Sequence, residues 1–326
     1  VPAVASEAFR TAAALRDGGP AALTESNLTS LERRLFADAA DSRLDEFSLL
    51  TASLVASGID SPEVLARYQK QLDALVAELS QTHPEMRHNP DGVKHLFDFL
   101  HRRVLSGGYR IECTDLRTTL EQGQFNCVSA SVLFQCLAER QGLDVCGLEM
   151  PGHAMSRVRL PDTTLDIETT CSAWFRLMDD PKRQAQSVRD TLGTSHGNAR
   201  ALAREISGIG LVAMVYYNRG VDLLAAARYA DAAAANAKAL RLDGDSQTAR
   251  GNLLATINNW AIALGQAGQL DEAVAVLEAG LAVDPHYKPF ALNYAHVCNQ
   301  RDRQQAIGTI PPERSIGATL PAPAGP

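Results

Sequence analysis

Apolar residues recur at helical spacing through most of the chain. Val64, Leu65, Tyr68, Leu72, Leu75, Val76 and Leu79 fall three or four positions apart, which predicts a helix, and Ser61-Pro62 supplies its cap and first position. Asn89-Pro90 opens another helix, with Val93, Phe97, Leu100 and Val104 on one face and Gly107-Gly108 behind it. Weaker helical patterns cover 29–40, 42–57 (stopped by Gly58) and 114–122 (stopped by Gly123). The stretch GQFNCVSASVLFQCLAERQGL, 123–143, predicts a helix that starts at Asn126 or Cys127 and breaks at Gly142.

The period then changes. Residues 145–150 alternate, Pro151-Gly152 interrupts, and HAMSRVRL (153–160) with TLDIETT (164–170) reads as a strand pair around Pro161-Asp162-Thr163. Helices leading into a small antiparallel sheet make the fold class α+β. A polar helix is predicted over 179–192. From Ile206 the chain is helical again and repeats itself. Residues 216–245 and 257–286 share a layout of helix, break, a matched alanine (Ala232, Ala273) and an aspartate turn (Asp243-Gly244, Asp284-Pro285). This layout resembles the tetratricopeptide repeat, a helix pair that buries its face by stacking on neighbours. The two alanines are 41 positions apart, against roughly 34 in that repeat, which predicts a longer first helix at 249–266. A third helical piece at 289–300 caps the stack. The expected organisation is an N-terminal helical lead-in (1–41), a core (42–192), a linker (193–205), helical repeats (206–305) and a disordered Pro-, Gly- and Ala-rich tail (306–326).

Charge and composition narrow the function classes. A net charge of −7 with no basic stripe argues against a nucleic-acid partner. The longest apolar run, around Leu211–Tyr217, is too short to span a bilayer, so no membrane segment is expected. The six cysteines are irregularly spaced with no C-x-x-C, which predicts free thiols in a reducing, cytoplasmic setting and no metal site. The chain starts at Val1 without a signal-peptide pattern, and a leader already removed is compatible with that start.

Cys127 is the candidate nucleophile. A helix start favours a thiolate through its unpaired amides and macrodipole, and the same amides stabilise an oxyanion. His153, at a strand start after Pro151-Gly152, is the candidate base, and an acid on the next strand the candidate orienter. Gln122, Gln124 and Asn126 are weaker candidates for an oxyanion donor. His83, His88, His95 and His101 fall near helix ends and read as solvated, while Cys136, Cys146 and Cys298 read as packing. Cys171 alternates onto the face opposite His153, which disfavours a Cys127–His153–Cys171 metal site. Trp174 and Phe175 either wall a cleft or close the core, and Trp260 takes a packing place in the repeats.

The words LAERQGLDVCGLEMPGHAMSRV (137–158) and TLDIETT (164–170), with cysteine, histidine and acid in that order, resemble the transglutaminase-like superfamily. The closer resemblance is to its SirB-type branch, bacterial proteins that join such a core to tetratricopeptide repeats, and it runs from about Ser42 to Gln300. The resemblance implies a thiol acyl-transfer enzyme, hydrolase or transferase on a protein or peptide carboxamide, with a Cys127–His153–Asp166 triad, no cofactor, and a protein partner on the repeats. Branch members with proline in place of the cysteine imply the alternative, a non-catalytic scaffold. The acid has two candidates. The family motif points to Asp166. Pairing Leu160 with Thr163 or with Leu165 instead puts Thr170 or Ser172 opposite His153, which leaves Asp166 at least four residues, roughly 13 Å, along the strand and Glu168 nearer. Asp166 is the choice and Glu168 its rival.

Overall fold

Local capping chemistry sets the helix boundaries. The computed structural model describes residues 6–82, 88–192 and 203–308. Helix α1 (Glu7–Glu25) bends at Gly19-Pro20. Helix α2 (Ser30–Asp38) opens on a capping box in which Thr29 and Glu32 satisfy each other's amides. The helix expected over 42–57 is shorter, because α3 covers only Leu49–Ala56. The Asp38 carboxylate accepts from the backbone amides of Asp45, Glu46 and Phe47, and this loop network outcompetes helix over 42–47. Helices α4 (Pro62–Thr82) and α5 (Pro90–Arg103) start at their predicted caps, Ser61 and Asn89. A two-residue strand β1 (Gly108–Tyr109), helix α6 (Leu116–Gln122) and strand β2 (Gln124–Phe125) follow, with β1 and β2 paired in parallel.

Helix α7 (Cys127–Arg140) is buried along nearly its whole length. It packs on an antiparallel sheet of order β5-β4-β3-β6, formed by β3 (Asp144–Met150), β4 (His153–Arg159), β5 (Thr164–Ile167) and β6 (Arg204–Ile206). Leu160 N donates to Thr163 O at 2.8 Å and fixes the β4–β5 register, so Arg157 faces Asp166. Strand β5 stops at Ile167, short of the expected 170. Strand β6 was expected as linker. Its Ile206 seats over Gly147, where the absence of a side chain lets the two strands meet. Helix α8 (Pro181–Leu192) follows and borders a cavity with Met155, His153 and Glu168 of the hairpin region. Most of the expected linker (193–202), His83 and the tail from 309 on fall outside the described residues.

The C-terminal part is a stack of helical hairpins: α9 (Gly208–Ala225) with α10 (Tyr229–Leu242), then α11 (Gln247–Gln266) with α12 (Leu270–Val283), closed by α13 (Lys288–Gly308). Helix α11 spans 20 residues and α9 spans 18, so both first helices are long. Helix α13 extends eight residues beyond the expected end at 300. Helix α1 is not merely a lead-in to the core. Helix α1 packs on α10 and α12, with Ala8 and Ala12 in one cluster with Ala233 and Ala237. This explains why α10 (YADAAAANAKAL) is alanine-rich on every side: small side chains let three helices approach closely. The other large cluster joins α3, α5, α7, the sheet and α9, so the first repeat helix shares the core of the sheet region.

Two buried polar links hold these parts together. Lys238 Nζ donates to both carboxylate oxygens of Glu32, at 2.8 and 2.7 Å, and Tyr216 Oη donates to the same group at 3.0 Å. Arg204 joins Glu149 of β3 to Asp243 at the end of α10, and the Ser246 hydroxyl reaches Glu149 at 3.3 Å. Removing one partner of a buried pair strands the other charge. Lys238→Met is expected to cost about 3 kcal/mol in urea unfolding, and Glu32→Gln combined with Lys238→Met to cost less than that single change. A loss under about 1 kcal/mol for the single variant would show that the pair carries no strain when broken.

Candidate active site

Asn126 builds the start of α7. Its Oδ1 accepts from the amides of Val128 and Ser129, each at 3.0 Å, and Ser129 Oγ accepts from the Asn126 amide at 3.0 Å. The Cys127 amide, at the first helical position, has no acceptor within the helix. Asn126 Nδ2 donates to Ile111 O at 3.1 Å and to Thr114 Oγ1 at 2.6 Å. Asn126 is therefore a cap and a loop clamp, with its side chain fully engaged, which removes it as an oxyanion donor. Gln124 accepts a weak contact from the Cys113 thiol at 3.8 Å and does not line the Cys127 cleft.

His153 enters from the turn at Gly152, which takes a positive φ of 72° that glycine tolerates. Its ring is held from two sides. Nε2 lies 2.7 Å from Glu168 Oε2. The ring also hydrogen-bonds the Cys127 sulfur, and with Nε2 taken, Nδ1 is the atom that remains for it. The other Glu168 oxygen accepts from Thr170 N at 3.1 Å and from Thr170 Oγ1 at 2.5 Å. Exposure is 8% for Cys127, 3% for His153 and 2% for Glu168. Burial disfavours the imidazolium, but the Glu168 charge, the Cys127 sulfur and the Glu168 hydrogen bond outweigh it and raise the His153 pKa to about 10.

The structure brings Cys127 and His153 together and corrects the third position. Asp166 is not beside His153. It faces Arg157, whose Nε and Nη2 donate to it at 2.7 and 3.0 Å, four residues along β4 from the imidazole. The register that fixes this is the one the Leu160–Thr163 turn predicts. Glu168 follows the last strand residue, and freed from the ladder its side chain reaches His153. Cys171 lies beyond the end of β5, where strand alternation no longer applies, with its sulfur 3.2 Å from Ser187 Oγ. Among the described residues no cluster of three or more potential ligands is placed to hold a metal.

Cys127 and His153 open into a cleft of about 400 Å³. One wall comes from the core through Tyr109, Ile111 and Glu112. The other comes from α9 and α11 through Tyr217, Asp222 and Asn252. His153 and Glu168 also border a smaller cavity of about 240 Å³ beyond Glu168, walled by Trp174 and Val188. Trp174 walls this second cavity and not the Cys127 cleft, while Phe175 packs edge-on to Phe97.

Three residues escaped the sequence reading. Tyr109 and Tyr217 border the Cys127 cleft. Burial first, with Cys127 and Glu168 adding charge at Tyr109 and Glu149 and Cys127 at Tyr217, holds both phenols protonated well above their ordinary value. His101 was read as solvated. Its ring instead lies 4.5 Å from Phe97 and hydrogen-bonds the Thr169 backbone, and its Nε2 is buried without a partner. Burial lowers its pKa to about 4, so it is neutral at pH 7 and sits directly behind the Glu168 segment. The helical position of His101, one turn after Phe97, was the available signal.

Residues 66–177 match the family model of the transglutaminase-like superfamily, a span that starts within α4 and runs past the hairpin. The matched span contains Cys127, His153 and both acids. No curated protein matches the chain, and no solved structure matches it. Among the described residues, no helix is long and apolar enough to cross a membrane.

The sign of the His153 shift makes a stability prediction. A pKa raised from 6.5 to about 10 adds stability that is fully present below about pH 6.5 and is lost as pH rises through 10. From pH 7 to 10 the melting temperature of the parent protein should fall more than that of Glu168→Gln, whereas Asp166→Asn should keep the parental slope. Parallel curves for the parent and Glu168→Gln would remove Glu168 as the partner.

Proposed function

We propose that this protein is a cysteine-dependent acyl-transfer enzyme with Cys127 as nucleophile, His153 as acid and base, and Glu168 as the residue that orients His153. The single observation that carries this is the imidazole gripped between a sulfur and a carboxylate at the floor of an open cleft. The transglutaminase-like match over the same residues supports it.

In this reading His153, protonated at pH 7, already holds the Cys127 proton on Nδ1, and Cys127 Sγ attacks the carbonyl carbon of a carboxamide as the thiolate of that ion pair. The carbonyl oxygen takes the negative charge, and the Cys127 amide donates to it. The tetrahedral adduct collapses, the C–N bond breaks, and His153 returns the proton to the leaving amine. Water or a second amine then attacks the thioester, His153 accepts its proton, and the thiolate leaves. Glu168 holds the ring orientation throughout and stabilises its imidazolium form, as the acid of such triads does. Protein or peptide carboxamides are the proposed substrates. The helical hairpins are proposed to be tetratricopeptide-type repeats, supported by their hairpin stacking and matched alanines, with α9 and α11 facing the substrate.

Iodoacetamide labelling with peptide mapping tests the nucleophile. At pH 7, Cys127 should react at least about tenfold faster than an ordinary free cysteine. His153→Ala should abolish that advantage, and Glu168→Gln should reduce it more than Asp166→Asn does. Labelling at the ordinary rate would instead favour a scaffold that keeps the fold without the chemistry.

A further inference from the structure

The cleft above Cys127 has a composition that the acyl-transfer reading does not explain. Apart from His153, the charged side chains that line it are Glu112 on the core wall and Asp222 on α9. Neither forms an ion pair among the described residues. Arg110, whose charge acts on Cys113 alongside theirs, is paired with neither. The two carboxylates sense each other across the cleft: burial first and then Glu112 raise Asp222 above its ordinary value. Next to each acid in sequence stands an apolar residue open to solvent, Ile111 at 75% and Val221 at 46% exposure. These form opposite lips of the same opening.

The walls are fixed to one another. Asn218 Nδ2 of α9 donates to Thr114 Oγ1 at 3.2 Å, the same oxygen that accepts from Asn126 Nδ2. The α9 wall is thus two hydrogen bonds from the cap of the nucleophile helix. A lining of paired acids between exposed apolar lips fits an occupant that is apolar at its ends and cationic in between.

We infer that the cleft between the sheet core and α9–α11 binds a polypeptide segment that presents a lysine or arginine beside the reacting carboxamide, its cation held by Glu112 and Asp222 and its apolar neighbours by Ile111 and Val221. This rests on the acyl-transfer reading for the word "reacting" only. The charge preference follows from the cleft itself. The cation is a recognition element flanking the acyl donor, not the amine that accepts the acyl group. Anionic segments are disfavoured at this end of the cleft, since Glu112 and Asp222 repel them at short range.

Methanethiosulfonate reagents that form a mixed disulfide with Cys127 test the charge preference in the intact protein. Aminoethyl, sulfonatoethyl and neutral methyl forms give a cation-to-anion rate ratio at Cys127, read by peptide mapping and divided by the ratio for free cysteine. The expected ratio is at least about tenfold, falling about fivefold in Asp222→Asn and to near unity in Glu112→Gln/Asp222→Asn. A parental ratio near unity, or one that the double variant leaves unmoved, overturns the inference. Slow reaction with the neutral reagent overturns the nucleophile reading alone, because the charge ratio is still measured. In a second arm, a lysine-flanked glutamine pentapeptide with leucine ends should slow neutral labelling of Cys127 in a saturable way, and its glutamate-flanked counterpart should not. Equal protection by both, or by neither, overturns the polypeptide assignment.

Discussion

A carboxylate and an imidazole almost sealed from water, 2.7 Å apart, constrain everything around them. Burying either charge alone costs several kcal/mol, so each must find its partner and have its remaining atoms satisfied. The chain does this with few residues. Glu168 spends one oxygen on His153 and the other on Thr170 N and Oγ1. His153 spends one nitrogen on Glu168 and turns the other to Cys127. The price is geometric: β5 must end at Ile167, because a continued ladder would hold Glu168 in the pleat instead of releasing it towards the ring.

Helix α7 is the other half of that constraint. It is buried on every side, and its polar residues would be costly there without partners. Most find partners outside the helix, in the 111–114 loop, the 168–170 segment and strand β4, and the side-chain oxygen of Gln135 is left buried without one. Asn126 caps the helix and clamps the 111–114 loop. Ser129 Oγ donates to Cys113 O at 2.9 Å, Ser131 meets Thr169 Oγ1 at 3.0 Å, and Gln135 Nε2 reaches Ser156 Oγ at 3.4 Å. Ser131 and Gln135 lie one turn apart and tie the helix to the segment bearing Glu168 and to the strand bearing His153. The polar crowding around Cys127 is thus the hardware that sets the helix against the hairpin, which is what brings sulfur and imidazole into contact.

Much of this was legible in the sequence, and the division follows the range of the interactions. Caps act over three or four residues, so the starts of α4, α5 and α7 could be read from Ser61, Asn89 and Asn126. A tight hairpin limits register, and either pairing the turn allowed put Glu168 nearer His153 than Asp166, although the ladder itself ends at Ser156 and Ile167. The family pattern favoured Asp166 because order along the chain does not report distance along a strand. Long-range pairings were invisible. Nothing in REI at 204–206 announces a strand, because β6 exists only where Gly147 lets Ile206 come close. Helix α1 lies more than 200 residues from its partner α10, and the alanines of both fit a dozen other uses. His101 reads as a helix-end histidine until Phe97, Phe125 and Thr169 close around it.

The same long-range contacts change what the helical hairpins are for. A stack of helix pairs has two faces, and here α1 covers the one made by α10 and α12. The face made by α9 and α11 is turned to the core, with Tyr217 and Asp222 in the wall of the Cys127 cleft. The stack cannot swing freely, because Arg204 pins β3 to the end of α10, Lys238 pins α10 to α2, and Asn218 pins α9 to the loop that Asn126 clamps. Each pin is a buried or half-buried polar contact whose loss leaves a group without a partner, so the stack and the core hold each other in one arrangement. Of these contacts the Asn218 bond lies in the cleft itself, and with Tyr217, Asp222 and Asn252 it makes α9 and α11 one wall of the space above Cys127, a position fixed by the same polar contacts that hold the stack to the core.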